Sequence, residues 1–229
     1  TLADQWIRDR MAETIVDVNR LFENFQYGEA GRQVYDFFWS EFADWYIEIA
    51  KLQLAPTPGP APAAAHPERS EAQSKGRGKG GESAPTPGPS PVEEHDGRGE
   101  RAWRTLDTLV FVLDQCMRLL HPFTPYVTEE IWQHLRTACL AAPNRPVPED
   151  GWAEALIVAK WPIADDGRRT TDDVDDFRHI MEIIRAIRNA RAENKVELGK
   201  KVAATIVAGE REKLISSQRE VIARLANID

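Results

Sequence analysis

Residues 2–25 read LADQWIRDRMAETIVDVNRLFENF. Within them Ile7, Met11, Ile15, Val18, Phe22 and Phe25 recur at spacings of three and four, which marks one face of an amphipathic helix. Outward from this helix, Gly28 punctuates the chain and residues 29–54 repeat the pattern more densely. Val34, Phe38, Phe42, Trp45, Ile49 and Leu52 form one stripe, and Tyr35, Trp39 and Tyr46 an adjoining one. A helix apolar over so much of its circumference belongs at the centre of a bundle, against two or more neighbours.

The composition then changes abruptly. Residues 55–100 hold nine Pro and eight Gly, no aromatic residue, and Val92 as their one large aliphatic. They bury too little apolar surface to offset chain entropy, and the expectation is a disordered insertion. It contains one imperfect copy, Ala-Pro-Thr-Pro-Gly-Pro at 55–60 and again at 84–89, which is a duplicated linker rather than a repeat fold. The rest of the chain carries all seven Trp, eight Phe and four Tyr, enough for a core without disulfide or metal staples.

Beyond the insertion, Trp103, Leu106, Val110, Leu113, Met117 and Leu120 define a third helix that stops at His121-Pro122. Thr124 is placed to cap the next helix, with Pro125 in its first position and Ile131, Trp132 and Leu135 along it. Leu156-Ile157-Val158 reads as a short strand or extended segment lying along the bundle. Thr171 followed by Asp172, Asp173, Asp175 and Asp176 starts a fifth helix, which runs to about Asn194. Gly199 breaks that pattern; Lys201 to Ala208 then reads as a strand and Glu210 to Ala226 as a helix. The expected fold class is mainly α. Residues 1–198 form an antiparallel helix bundle interrupted by the insertion at 55–100, and 199–229 the start of a small, incomplete α/β region.

The net charge of −8 excludes a surface wrapped throughout in nucleic acid or anionic lipid, so any polyanion site must be local. Cys116 and Cys139 lie in helical, apolar context, which suits small-hydrophobe packing in a reducing, cytoplasmic setting. No apolar run reaches membrane-spanning length, and no partner membrane is expected. Thr1 in place of an initiator Met, and an end at Asp229 close behind a helical pattern, fit a piece of something longer. No metal site is expected, because His66 and His95 fall in the insertion and His121, His134 and His179 lack ligands at metal spacing. The glycines at 76, 78, 80 and 81 lie in low-complexity sequence without the strand and helix that a phosphate loop needs. Acidic pairs such as Glu129-Glu130 complement helix ends more simply than they do acid–base work, and no catalytic residue is expected.

Two basic features remain. On the first helix, Trp6 and Arg10 lie one turn apart beside the core stripe; an indole and a guanidinium on one edge suit stacking and hydrogen bonding to unpaired bases. The same residues equally fit a Trp completing the core with an Arg covering its edge. Arg8, on the opposite flank, is the weaker candidate. On the fifth helix, the seam Phe177, Met181, Ile184 continues into Arg188 and Arg191, with Arg178 and Arg185 in a stripe beside it. From Arg178 to Lys201 there are seven Lys or Arg against three Glu, either a phosphate-contacting stripe or a solvated face.

The residues also resemble a family. Leu2-Ala3-Asp4-Gln5-Trp6-Ile7, Gly28-Glu29-Ala30-Gly31-Arg32 leading into Tyr35-Asp36-Phe37-Phe38-Trp39, and Asp44-Trp45-Tyr46-Ile47-Glu48 look like the anticodon-binding domain of valyl-tRNA synthetases, which are class I aminoacyl-tRNA synthetases. So do Leu119-Leu120-His121-Pro122-Phe123-Thr124-Pro125, Thr128-Glu129-Glu130-Ile131-Trp132, Lys160-Trp161-Pro162 and Ile187-Arg188-Asn189-Ala190-Arg191-Ala192-Glu193. The resemblance implies a helical bundle that reads the anticodon stem-loop of tRNA(Val), with the parent enzyme's catalytic domain and C-terminal region as its other partners. Trp6 and Arg10 would lie near splayed anticodon bases, and Arg178, Arg185, Arg188 and Arg191 nearer the backbone. The parent enzyme would be an ATP-dependent valine–tRNA ligase using ATP and magnesium. This chain lacks the family's nucleotide-binding signatures, so it should hold no cofactor and catalyse nothing alone. The alternative is a scaffold that docks the catalytic core and has little RNA affinity of its own.

Overall fold

The computed structural model describes residues 1–55, 97–141, 146–148, 150–164, 171–197 and 199–229. Most of the expected insertion, including both linker copies, lies outside them. Helix α1 spans Leu2–Glu23 and opens with a cap, the Thr1 hydroxyl accepting the Asp4 N–H at 3.2 Å. It closes with paired bonds from Gln26 N–H to Leu21 C=O (2.8 Å) and Phe25 N–H to Phe22 C=O (3.0 Å), which place Phe25 in the left-handed region at φ 57°.

Residues 27–54 run as one rod with a change of winding inside it: α2 (Tyr27–Phe37), a π-helical segment (Phe38–Tyr46) and α3 (Ile47–Leu54). The wider π turn lets Phe42, Trp45 and Tyr46 all enter the core while Trp39 stays out. As the doubled apolar stripe requires, the rod packs on α1, on α4 (Gly97–Leu120) and on α8 (Arg219–Ala226). Tyr46 is anchored by donating its hydroxyl to the buried Asp4 carboxylate at 2.6 Å.

Helix α4 ends where the proline demands, and α5 (Pro125–Leu140) starts with Pro125 in its first turn. The expected Thr124 cap is not made: its hydroxyl turns back to Leu120 C=O at 3.4 Å. Across this corner Gly31 of α2 lies so close to Phe123 that a Cβ would stand 3.1 Å from the ring. Leu156–Val158 forms a single 3-10 turn rather than a strand. The Glu129 carboxylate accepts the Leu156 N–H at 2.8 Å and Gln133 donates to Glu154 C=O, so α5 supplies the backbone partners a neighbouring strand would otherwise provide. Arg118, buried beside Asp114, donates to Lys160 C=O and fixes the continuation of this segment on the bundle.

Helix α6 (Thr171–Glu193) begins at the predicted threonine and lays Val174, Phe177, Ile180, Met181 and Ile184 into the core against α1. The strand expected at Lys201 to Ala208 is absent: no strand occurs among the described residues. One parallel bridge joins Val202 to Ile228, with Asp229 N–H bonded to Val202 C=O at 3.2 Å. Lacking a second strand to complete a ladder, the segment stays irregular. The helix expected at 210–226 is divided into a 3-10 turn (Gly209–Arg211), α7 (Glu212–Ser217) and α8 (Arg219–Ala226). Ile215, Ile222, Ala226 and Ile228 are buried in the same apolar cluster as the bundle, with α8 lying on α6 and α3.

Candidate nucleic-acid interface

The counter-ion each arginine has decides what it can offer a polyanion. Arg10 on α1 grips Glu41 of the π-helical segment with two bonds of 2.7 Å, from Nε to Oε2 and Nη2 to Oε1, and a third bond runs from Nη1 to Glu13. The hydrogen bond to Glu41 holds the guanidinium's pKa above its ordinary value, so its charge is permanent and already spent on carboxylates. Trp6, one turn away, is 1% exposed, and its ring lies 4.6 Å from that of Phe177. The half-exposed indole expected beside Arg10 is thus a core residue holding α1 to α6, with no free face for a base to stack on. Arg8 is likewise engaged, with Asp107, the Thr108 hydroxyl and the Phe111 ring. Arg178, exposed near the start of α6, pairs with Asp175 at 3.4 Å.

The second half of α6 differs. Arg185 and Arg188 lie over the same indole, their guanidinium carbons 5.1 and 5.3 Å from the Trp45 ring centre. Arg188 Nε also donates to Leu225 C=O at 2.9 Å. Arg191 donates to three carbonyls, those of Asn227 (2.9 Å), Lys200 (2.8 Å) and Glu197 (3.3 Å), binding the end of α8 to the end of α6. None of the three has a carboxylate partner among the described residues. Their charge is uncompensated, and the two over Trp45 are pre-ordered by the ring while their heads remain in solvent. Arg185, Arg188 and Arg191 therefore come together as one cationic edge, whereas Trp6, Arg10 and Arg178 do not join it.

Trp45 itself was not among the expected site residues. In the sequence it is one member of a core stripe, and the arginines it carries are some 140 positions away. The other feature the sequence reading passed over is aromatic. At the far end of α1, Phe22 meets Tyr27, Trp161 and Phe123 with ring centres 5.3, 5.1 and 6.0 Å apart. Trp45 neighbours Tyr46, which is bonded to Asp4 in the first turn of α1, so a helix of 22 residues separates the aromatic end from the cationic edge, about 30 Å at 1.5 Å per residue.

Among the described residues, no cluster of three His, Cys, Asp or Glu is arranged to hold a metal ion, and no helix is long and apolar enough to cross a membrane. Comparison with known proteins places this arrangement. A family model described as the anticodon-binding domain of tRNA ligase matches residues 4–65 and 91–207, on both sides of the insertion. The valine–tRNA ligase of Bacillus licheniformis is 36% identical over 203 residues, covering 88% of this chain and 17% of that protein. Those of Bacillus cereus and Anoxybacillus flavithermus are 35% and 33% identical over 91% and 99% of the chain, which covers 18% and 20% of their lengths. The chain thus spans about a fifth of the length of the curated relatives it matches. With most of its length matched by that model, the chain, a helical bundle, belongs to the anticodon-binding domain family of tRNA ligases.

Proposed function

We propose that this chain is the anticodon-binding part of a cytoplasmic valine–tRNA ligase and that it binds the anticodon stem-loop of tRNA(Val). The observation that carries the reading is the edge Arg185, Arg188 and Arg191, three guanidiniums without carboxylate partners among the described residues, in a chain of net charge −8. Phosphates of the loop lie against Arg185 and Arg188, while Arg191 chiefly holds residues 199–229 beside them. ATP and magnesium serve the ligase reaction in other parts of the longer protein, and the catalytic domain and C-terminal region of that protein are the chain's remaining partners.

One observation favours the rival reading of a scaffold with little RNA affinity: Arg8, Arg10, Arg32 and Arg178 are all neutralised by carboxylates. Binding of the chain to a valine anticodon stem-loop, and to one with its middle anticodon base changed, at two salt concentrations, separates the two. Anticodon reading predicts tighter binding of the valine loop, weakening with salt. Absent binding, or equal binding of both loops, would leave the scaffold as the better account.

A further inference from the structure

Helix α8 ends in a turn that satisfies only some of its last carbonyls. Asn227 takes the left-handed conformation at φ 53°, and there the Ile228 N–H bonds to Ala223 C=O at 3.0 Å and the Asn227 N–H to Arg224 C=O at 3.4 Å. The Leu225 carbonyl is left without a main-chain donor among the described residues. Helix α6 supplies what is missing: Arg188 donates from Nε to Leu225 C=O at 2.9 Å, and Arg191 from Nη1 to Asn227 C=O at 2.9 Å. A cation at the C-terminal end of a helix also suits the dipole there.

The two arginines differ in what they have left over. Arg191 commits Nη1 to Asn227 and Nη2 to the Lys200 and Glu197 carbonyls. Arg188 spends Nε alone; its Nη1 and Nη2 have no hydrogen-bond partner among the described residues. A guanidinium is planar, so a bond at Nε and an indole under the carbon, 5.3 Å away in Trp45, together fix the direction of both remaining nitrogens. An arginine held this way gives up little further side-chain freedom when it meets a phosphate. Arg185 lies over the same indole without a carbonyl partner among the described residues. What seats the Leu225 carbonyl is apolar and away from the charges: Ile222, Ala226 and Ile228 are buried in the bundle's own cluster. At eight residues, α8 has no helical stability of its own and stays ordered only while that packing holds it.

We infer that α8 is a positioning element for the RNA edge: seated on α6, its Leu225 carbonyl sets Arg188 in the orientation that meets a phosphate, so that the seating of α8 and the binding of RNA strengthen each other. The inference rests on the RNA-binding reading above and adds to it what controls the affinity. The linkage is reciprocal. Whatever factor the seated helix adds to RNA affinity, bound RNA adds to the seating, and any event that lifts α8 from α6 weakens RNA binding without touching the RNA.

The test is binding of the full chain to the valine anticodon stem-loop. Ile222→Ala removes the apolar contact that seats α8 and leaves every group of the edge in place; it is expected to weaken binding about fivefold, the lower end of typical couplings between sites. Leu21→Ala, a similar truncation at the far end of α1, destabilises the bundle and is expected to leave the affinity unchanged, which separates seating from general stability. Arg188→Lys keeps the charge and loses the planar fork, so adding Ile222→Ala to it is expected to cost nothing more, whereas adding Ile222→Ala to Arg185→Lys still costs about fivefold. Hydrogen exchange reads the reverse direction: saturating stem-loop is expected to slow the amides of 219–228 about fivefold in the unsubstituted chain and not in Arg188→Lys. An affinity that Ile222→Ala leaves unchanged, or that Leu21→Ala lowers as much, overturns positioning by α8 while RNA binding stands; so does a loss of the same size in the Arg188→Lys chain. No stem-loop binding by the unsubstituted chain overturns the positioning together with the RNA-binding reading.

Discussion

Arg10 and Arg185 look alike in sequence, each an arginine beside an apolar helical stripe, and the structure separates them by what stands across from each. Arg10 faces Glu41, which is 31 positions away, and no local pattern announces that pair. Arg185 and Arg188 face an indole, and the departure of α6 from its seam was legible because Arg188 and Arg191 stand where its spacing calls for apolar residues, with Arg185 in the stripe beside them. Burial acts as strongly on uncharged groups. Cys116 is fully buried beside Asp114, and desolvation, with that carboxylate second, raises its thiol far above the ordinary 9.0. Desolvation likewise raises Tyr46, with its bond to Asp4 adding to the effect. Both groups ionise in the unfolded chain before the folded one, so the unfolded state holds fewer protons at alkaline pH. Their contribution is complete below that ordinary thiol value of 9.0 and falls above it by about 1.4 kcal/mol per pH unit for one fully titrating group. Urea midpoints measured between neutral pH and pH of about 10 are expected to decline past that point. Cys116→Ser or Cys116→Ala should flatten the first part of the decline; an unchanged profile in both would remove the thiol as its cause.

At the scale of elements, the helices announced by three-and-four spacing are present, the one expected at 210–226 only in pieces, because burial of one apolar stripe is what makes such a helix stable. The misses share a different cause. Lys201 to Ala208 reads as a strand, but a strand needs a partner ladder, and the one bridge to Ile228 is all this segment finds among the described residues. Leu156 to Val158 had its backbone claimed by Glu129 instead. The π winding of Phe38–Tyr46 has no local signal, since the aromatic residues in it fit an α-helix equally well. The end of α1 was also hidden: Phe25 holds the left-handed position that glycine usually fills, yet it is 79% exposed and touches Tyr27 only edge-on at 6.3 Å. A left-handed conformation costs an L-residue roughly 1–2 kcal/mol. Glycine removes that strain but adds roughly 0.4–1 kcal/mol of unfolded-chain entropy. Phe25→Gly is therefore expected to raise the unfolding free energy by a few tenths to about 1 kcal/mol in urea titration, and a clear loss would mean that the Phe25 ring packs more tightly than its exposure indicates.

Over the whole molecule, an acidic chain is expected to bind a polyanion only where positive charge has been left unpaired. Carboxylates pair with Arg8, Arg10, Arg20, Arg32, Arg104, Arg118 and Arg178, whereas among the described residues Arg185, Arg188 and Arg191 have only a ring or carbonyls. Paired cations displace few counterions from RNA because their own counter-charge is already in place. The salt dependence of stem-loop binding should therefore count the α6 edge, not the chain's total of Lys and Arg. Each neutralised phosphate contributes roughly 0.7–0.9 to the slope of log affinity against log salt, so two to three contacts predict a slope of about −2. Arg185→Gln is expected to flatten it by about 1, while Arg178→Gln, whose charge Asp175 already offsets, should leave it nearly unchanged. Equal flattening by the two substitutions would mean that charge spread along α6, rather than the ordered edge above Trp45, holds the RNA.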